Sequence, residues 1–377
     1  MRKKIMILVP SLKFGGGAEK VASILSLNLA KNYEVAILTL YHFENIYPFK
    51  GTYYTIQEKH FLRGIFVRFF KMKKMIKSIS PDIIITFMNK TSFWIIPIKY
   101  LCNIQAPLII NVNTNPDFHY RKRIYGKYLI KFLYPLEKVN IIVPVSNELK
   151  KILVNNYKLE GSKINPIYTG FNIERIQKLA KEKLGDYDHN NIFEDSGVIK
   201  FITIGRLSRE KGHIYLIKAF SQVSKKINNS KLFIIGEGPL REKLKKLVKE
   251  YNLEKNVILL GKKKNPYKYI SKADIFVLSS LHEGLPTVLI EALACNIPII
   301  STNCETGPKE ILANGKYGIL TKIADSSDLA NKMIFLAENE EVREKLSQNS
   351  NERIKIFEER IFINNWIKLI NKLSNKT

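Results

Sequence analysis

The chain has 377 residues, with 61 Lys+Arg against 34 Asp+Glu and a formal net charge of +27. A hydrophobic content of 45% with 11% aromatics excludes a disordered chain, and the length predicts two or three domains. Cys102, Cys295 and Cys304 stand at unrelated spacings, which excludes a disulfide framework or a zinc pattern and predicts a reducing, cytoplasmic setting.

In chain order, the N-terminus looks superficially like a signal peptide. Its apolar run of about five residues is too short and no small-residue cleavage site follows, so residues 5–9 are expected to form a first strand. Glycines at 15–17 lead into a helical pattern over 18–30, and further apolar, β-branched runs follow at 35–40, 83–87, 108–112 and 141–145. The apolar stretch 93–110 is interrupted by Pro97, Lys99, Asn103, Gln105 and Pro107, so no membrane-spanning helix is expected. Residues 184–197 are polar, acidic and strand-poor. Beyond them come runs at 201–204, 231–235, 257–260, 275–278 and 297–301, separated by helical patterns at 240–251 and 287–294. Residues 347–373 read as a terminal helix with Phe357, Ile361, Phe362, Trp366, Ile367 and Ile370 at helical spacings.

The strand-like runs are near-continuously apolar, as in parallel strands buried on both faces. Alternation with helices predicts an α/β chain of two Rossmann-like, doubly wound domains facing across a cleft. The expected boundaries are 1–183, a linker at 184–197, 198–350, and a terminal helix over 351–377.

Three places suit chemistry. Gly15, Gly16 and Gly17, between a strand and a helix, let backbone amides approach a phosphate; a plain βα turn is the alternative. Gly205-Arg-Leu-Ser-Arg-Glu-Lys-Gly212 follows the 201–204 strand, where Arg206 and Lys211 suit a diphosphate, a basic surface loop being the other reading. The next strand ends in Gly236-Glu-Gly-Pro239. In His282-Glu-Gly-Leu-Pro286, Pro286 marks a helix start, which leaves Glu283 in the preceding loop and Glu291 inside the helix. Glu283 can then accept hydrogen bonds from sugar hydroxyls, or serve as an ordinary capping carboxylate.

GRLSREKG, IIGEGPL, LLGKKKNP and EGLPTVLIEALA, in this order, resemble the C-terminal half of a family 4 glycosyltransferase, a retaining enzyme of the GT-B fold. The GGGAE loop extends the resemblance over essentially the whole chain, closest to bacterial transferases that extend lipid-linked or surface glycans. Glu283 and Glu291 match the family's E-x7-E motif. The resemblance implies that Gly16 and Gly17 lie against the donor diphosphate, that Arg206 and Lys211 neutralise it, and that Glu237 and Gly238 line the donor site. It implies that Glu283 touches the donor sugar with help from the amides of Gly284 and Leu285, that Glu291 binds the ribose, and that Gly261 and Asn265 border the base. Where many members carry a histidine after the fourth N-domain strand, this chain has Asn113, with His119 nearby; either is expected on the acceptor side.

This implies transfer of a hexosyl or N-acetylhexosaminyl group from a nucleotide-diphosphate sugar, UDP-linked by preference, to a lipid-linked or polysaccharide precursor. Neither a cofactor nor a metal is expected, since the triplet Asp186-Tyr-Asp188 falls in the linker. A nucleotide-sugar epimerase of GT-B shape, or an inactive nucleotide-binding scaffold, is the alternative. Residues 1–170 carry 26 basic and 9 acidic side chains, and hold the basic-aromatic stretches 59–77 and 120–138. These suit an anionic membrane surface, so peripheral association with the inner face of the cell membrane is expected. They also suit two helices with core apolar faces and solvated charges. No nucleic-acid-binding signature accompanies them.

Overall fold

The ten apolar runs become strands, and two shorter ones join them. Six form a parallel sheet in the first part of the chain: β1 (Lys4–Val9), β2 (Glu34–Thr39), β3 (Thr52–Thr55), β4 (Ile83–Phe87), β5 (Leu108–Val112) and β6 (Ile141–Pro144). Six form another: β7 (Ile199–Ile204), β8 (Ser230–Ile235), β9 (Val257–Gly261), β10 (Ile275–Leu278), β11 (Ile299–Thr302) and β12 (Ile319–Thr321). The sheet orders are β3-β2-β1-β4-β5-β6 and β12-β11-β10-β7-β8-β9. Both are the doubly wound order, reversing between β1 and β4 in one sheet and between β7 and β10 in the other. Ligands of such sheets sit outside the strand C-termini at this reversal. The computed structural model describes residues 2–14, 16–56, 64–121, 125–185 and 193–374.

The chain divides into two compact units, 1–170 with 360–377, and 171–359. The first boundary lies ahead of the expected 183, because the helix Ile173–Ala180 is built into the second unit. It buries Ile176 and packs on the helices Tyr267–Ile270 and Thr287–Ala294, and Ser271 Oγ donates to the Ala180 carbonyl at 2.8 Å. Residues 186–192, and with them Asp186 and Asp188, lie outside the described residues.

The expected terminal helix is two helices, Glu340–Ile354 and Glu359–Ser374. Between them the chain opens out: Phe171 N–H donates to the Phe357 carbonyl and Glu359 N–H to that of Phe171. The last helix belongs to the first unit. It places Phe362, Ile363, Trp366, Leu369, Ile370 and Leu373 in one core with Ile5, Ile7, Val9, Ile85 and Phe87. Trp366 is fully buried and stacks on Phe87 with ring centroids 6.5 Å apart. Burying a large aromatic side chain contributes about 2–3 kcal/mol.

The two basic-aromatic stretches form the helices Gly64–Ile79 and Tyr125–Leu133. Only part of their apolar surface is core. Met72, Ile76 and Ile130 are buried, whereas Phe66, Phe70 and Phe132 are 74%, 60% and 70% exposed. Lys59, Phe61, Arg63, Lys122 and Arg123 lie outside the described residues. No described helix is long and apolar enough to cross a membrane.

Candidate functional site

In the second unit the loops after the strands are stitched into one edge at the sheet's reversal. Gly236 N–H donates to the Gly261 carbonyl, joining the ends of β8 and β9, and Leu207 N–H donates to the Glu237 carbonyl, joining β7 to β8. Across the reversal, Leu281 N–H donates to the Glu210 carbonyl at 2.8 Å and Ser279 Oγ to the Lys211 carbonyl at 3.0 Å. Gly212 makes this approach feasible. Its φ is +65°, and a Cβ there would lie 2.0 Å from the Ser279 carbonyl oxygen.

This lacing brings two of the expected site residues together. Lys211 Nζ stands 2.6 Å from Glu283 Oε1, and Ser280 Oγ donates to the same oxygen at 2.6 Å. Thr306 Oγ1 donates to the Glu283 carbonyl. Gly307, at φ +95°, lets the 306–307 turn press on the turn after Glu283, since a Cβ there would meet Pro286 Cδ at 2.4 Å. Gly284 and Leu285 lie buried in that turn. Arg206 is exposed at the end of β7. Burial opposes ionisation of Glu210, yet the Ser208 hydroxyl, a backbone amide, Lys211 and Arg206 hold its carboxyl below the ordinary range.

The helix His213–Lys226 opens beside Lys211 with Gly212 as its N-cap and no side chain capping its first amides. Free amides, helix dipole and lysine together favour an anion. His213 is 2% exposed with Nδ1 unpartnered; burial first, then Lys211, push its pKa down to about 4, against Glu210. Glu291 is buried in the helix Thr287–Ala294 and accepts from Tyr267 Oη at 3.3 Å.

Other expected residues stand differently. Asn265 spends its side chain on the fold: Nδ2 donates to the Leu179 carbonyl at 2.8 Å and to Glu182 Oε2 at 2.9 Å, and Oδ1 accepts from Tyr267 N–H. Asn265 therefore has only its backbone left for a ligand. Glu237 is exposed and pairs with Arg241 at 2.9 Å; Gly238 packs against the Leu207 backbone.

In the first unit, Gly16 precedes the helix Gly17–Leu29 as expected, and Gly15 lies outside the described residues. The space against Gly16 holds a carboxylate, since a Cβ on Gly16 would lie 2.0 Å from Glu19 Oε2. Burial pushes the Glu19 carboxyl up, partly offset by a backbone amide. A Cβ on Gly17 would meet no described atom within 4 Å beyond its chain neighbours and its own helix. A diphosphate at Gly16 therefore requires Glu19 to move or be protonated.

Asn113 follows β5 with Oδ1 buried and unpartnered, and His119 is exposed at the end of the short helix Pro116–His119. Asp117 between them anchors the segment, accepting from Lys127, Asn156 and Tyr157. These bonds hold its carboxyl below the ordinary range although burial opposes them. Elsewhere in this unit Lys90 and Arg68 have aromatic partners and no carboxylate partner among the described residues. Lys90 Nζ donates to Tyr41 Oη at 2.8 Å, and the Arg68 guanidinium lies 5.6 Å and 5.4 Å from the ring centroids of Tyr41 and Trp94, with Nε buried and unpartnered.

Ser280, Thr306, Tyr267, His213 and Asp117 were not singled out from sequence. Ser280 and Thr306 carried a usable signal, being hydroxyls beside the Glu283 loop and beside a Gly-Pro pair.

Twin doubly wound parallel-sheet units are the architecture of the GT-B fold. The family model for family 4 glycosyltransferases matches residues 15–175, and that for group 1 glycosyl transferases matches 186–353. An uncharacterized glycosyltransferase of Methanocaldococcus jannaschii is 37% identical over 81% of this chain and 83% of its own length. A Campylobacter jejuni protein named N-acetylgalactosamine-N,N'-diacetylbacillosaminyl-diphospho-undecaprenol 4-alpha-N-acetylgalactosaminyltransferase is 28% identical over 94% of this chain and 96% of its own. Among solved structures, Anabaena HepE in complex with UDP and glucose superposes with a TM-score of 0.82 at 17% identity, covering 98% of this chain and 100% of its own. The chain belongs to the family 4, group 1 glycosyltransferases.

Proposed function

We propose that this protein is a retaining transferase that moves a hexosyl or N-acetylhexosaminyl group from a UDP-sugar to a lipid-diphosphate-linked or surface-polysaccharide precursor. The observation that carries the reading is the Lys211–Glu283 pair, 2.6 Å apart at the reversal of the second sheet, where a diphosphate and its sugar would lie side by side. Lys211, Arg206 and the uncapped start of the helix His213–Lys226 meet the charge that develops on the leaving diphosphate. Glu283, with the amides of Gly284 and Leu285, holds the sugar, and Glu291 the ribose. The bond from the anomeric carbon to the diphosphate oxygen breaks as the acceptor oxygen bonds to the same face of that carbon. The acceptor's hydroxyl proton passes to the departing phosphate oxygen. Neither a protein nucleophile nor a metal takes part, and no cofactor is needed.

The acceptor falls to the first unit, with Asn113 and His119 on its side. Exposed Phe66, Phe70 and Phe132 on basic helices, and the cations Arg68 and Lys90, which have no carboxylate partner among the described residues, support a phosphate-bearing acceptor presented at an anionic membrane surface on the cytoplasmic side. UDP as the nucleotide is supported by the UDP bound to the structurally similar Anabaena protein, and the acceptor class by the name of the Campylobacter relative.

The test incubates the full chain with a panel of UDP- and GDP-sugars and an undecaprenyl-diphosphate-linked sugar, with and without EDTA, and weighs the products. The expected result is a gain of one hexose or N-acetylhexosamine from a UDP-sugar, α-linked when the donor is α-linked and insensitive to EDTA. Product from GDP-mannose alone overturns the nucleotide, inversion overturns the mechanism, and loss in EDTA overturns metal independence.

A further inference from the structure

Glu283 is held in an asymmetric way. Both side-chain donors it receives, Lys211 Nζ and Ser280 Oγ, go to Oε1, and Oε2 has no donor from the described residues. The two donors also differ in kind. Lys211 is long, flexible and partly exposed, with three protons to give, and it borders the uncapped helix start that favours an anion. Ser280 is fully buried and fixed from behind: its carbonyl accepts from Thr302 Oγ1 at 2.5 Å and from Cys304 Sγ at 2.9 Å. The Glu283 backbone is pinned in turn by Thr306.

If Lys211 alone held the carboxylate, its attraction to an arriving diphosphate would leave a shielded carboxylate with one donor fewer and no fixed direction. Leaving a desolvated charge under-bonded is expensive, whereas a short hydroxyl-to-carboxylate bond is among the stronger ones. We propose that Ser280 is a positioning residue for Glu283: it retains Oε1 while Lys211 turns to the diphosphate, so that Oε2 stays directed at a hydroxyl of the donor sugar. This deepens, and rests on, the reading of the Lys211–Glu283 edge as the donor site. It assigns to Ser280 the binding increment that the sugar adds to the nucleotide.

The test titrates full-length wild type, Ser280→Ala and Ser280→Thr with UDP, UDP-glucose and UDP-N-acetylglucosamine by calorimetry, and measures turnover of the three proteins with the sugar nucleotide the wild type uses. In Ser280→Ala, UDP affinity is expected to stay within about twofold while the extra affinity conferred by the sugar falls roughly tenfold, the size of one such hydrogen bond. Turnover falls with it, and Ser280→Thr, which keeps the hydroxyl, restores both. An unchanged sugar increment in Ser280→Ala, or an equal loss of UDP binding showing a merely structural serine, overturns the proposal and leaves the donor-site reading standing. Failure of the wild type to bind UDP or either UDP-sugar overturns both.

Discussion

The two units share one strand order, and the cations Lys211 in the second and Arg68 and Lys90 in the first are partnered in opposite ways. At the reversal of the second sheet, Lys211 is paired with Glu283, Glu210 accepts from the Ser208 hydroxyl, and the loops are laced backbone to backbone. In the first unit, Arg68 and Lys90 rest on aromatic rings and a phenol with no carboxylate partner among the described residues. Burial opposes ionisation of Tyr41, yet Lys90 and Arg68 outweigh it and hold the phenol below its ordinary range. A common topology thus supports two electrostatic designs. One is an edge already balanced, where the proposed diphosphate would enter by exchanging partners. The other is a surface left positive for whatever it meets.

The largest expected effect breaks the balanced edge. Lys211→Ala or Glu283→Ala should lower turnover roughly 10³-fold, the loss seen when one preorganised group facing a developing charge is removed. Circular dichroism and the melting curve should remain close to wild type. Rates within a few-fold of wild type would place the donor elsewhere.

A smaller effect concerns His213, buried directly beside Lys211. Unfolded histidine takes up a proton below 6.5, but His213 in the folded chain resists until about 4. The unfolded state therefore binds the extra proton, and stability falls as pH drops from 6.5 to 4, by about 3 kcal/mol at most. Urea denaturation at half-unit pH steps should show His213→Gln with a shallower acid slope. Identical slopes in the two proteins would mean the ring is accessible to water.

The counterpart in the first unit is Lys99, 2% exposed, donating to the Ala106 carbonyl, with Lys138 rather than an acid nearby. Burial, reinforced by Lys138, lowers its pKa to about 8. Between 8 and 10.5 the unfolded chain holds the proton more tightly, so stability rises with pH across that window, by about 2 kcal/mol after allowing for partial solvation. Lys99→Met should flatten this limb and match or exceed wild-type stability at pH 7. A marked loss at pH 7 would show the ammonium to be favourable where it sits.

The sequence pattern was most legible where one residue type does one job. β4, β5 and β10 coincide with their apolar runs because strands covered on both faces are apolar throughout. β3 (TYYT) and β12 (ILT) escaped notice because they are short edge strands, only partly buried, and so need no apolar run. The break after Ile354 was hidden because Phe357 keeps helical spacing with its neighbours although its backbone leaves the helix to join Phe171. Glu283 and Lys211 could be singled out from local spacing and resemblance. Thr306 and Tyr267 act on carboxylate-bearing segments more than twenty residues away, Ser280 lies near Glu283 but is fixed by Thr302 and Cys304, and Asn265 is claimed by a helix some eighty residues earlier. Such contacts leave no local periodicity.

The membership of the last helix in the first core bears on how the molecule comes into being. Residues 1–170 emerge before the second unit during synthesis, yet the aromatic wall that Phe362 and Trp366 supply follows that unit. Domains generally fold as they emerge. Here the earlier unit is completed only after the second has been made, and until residues 360–374 emerge it stands with part of its interior open to water. A stop codon directly after residue 359 would leave the second unit's own residues intact and the first unit unfinished.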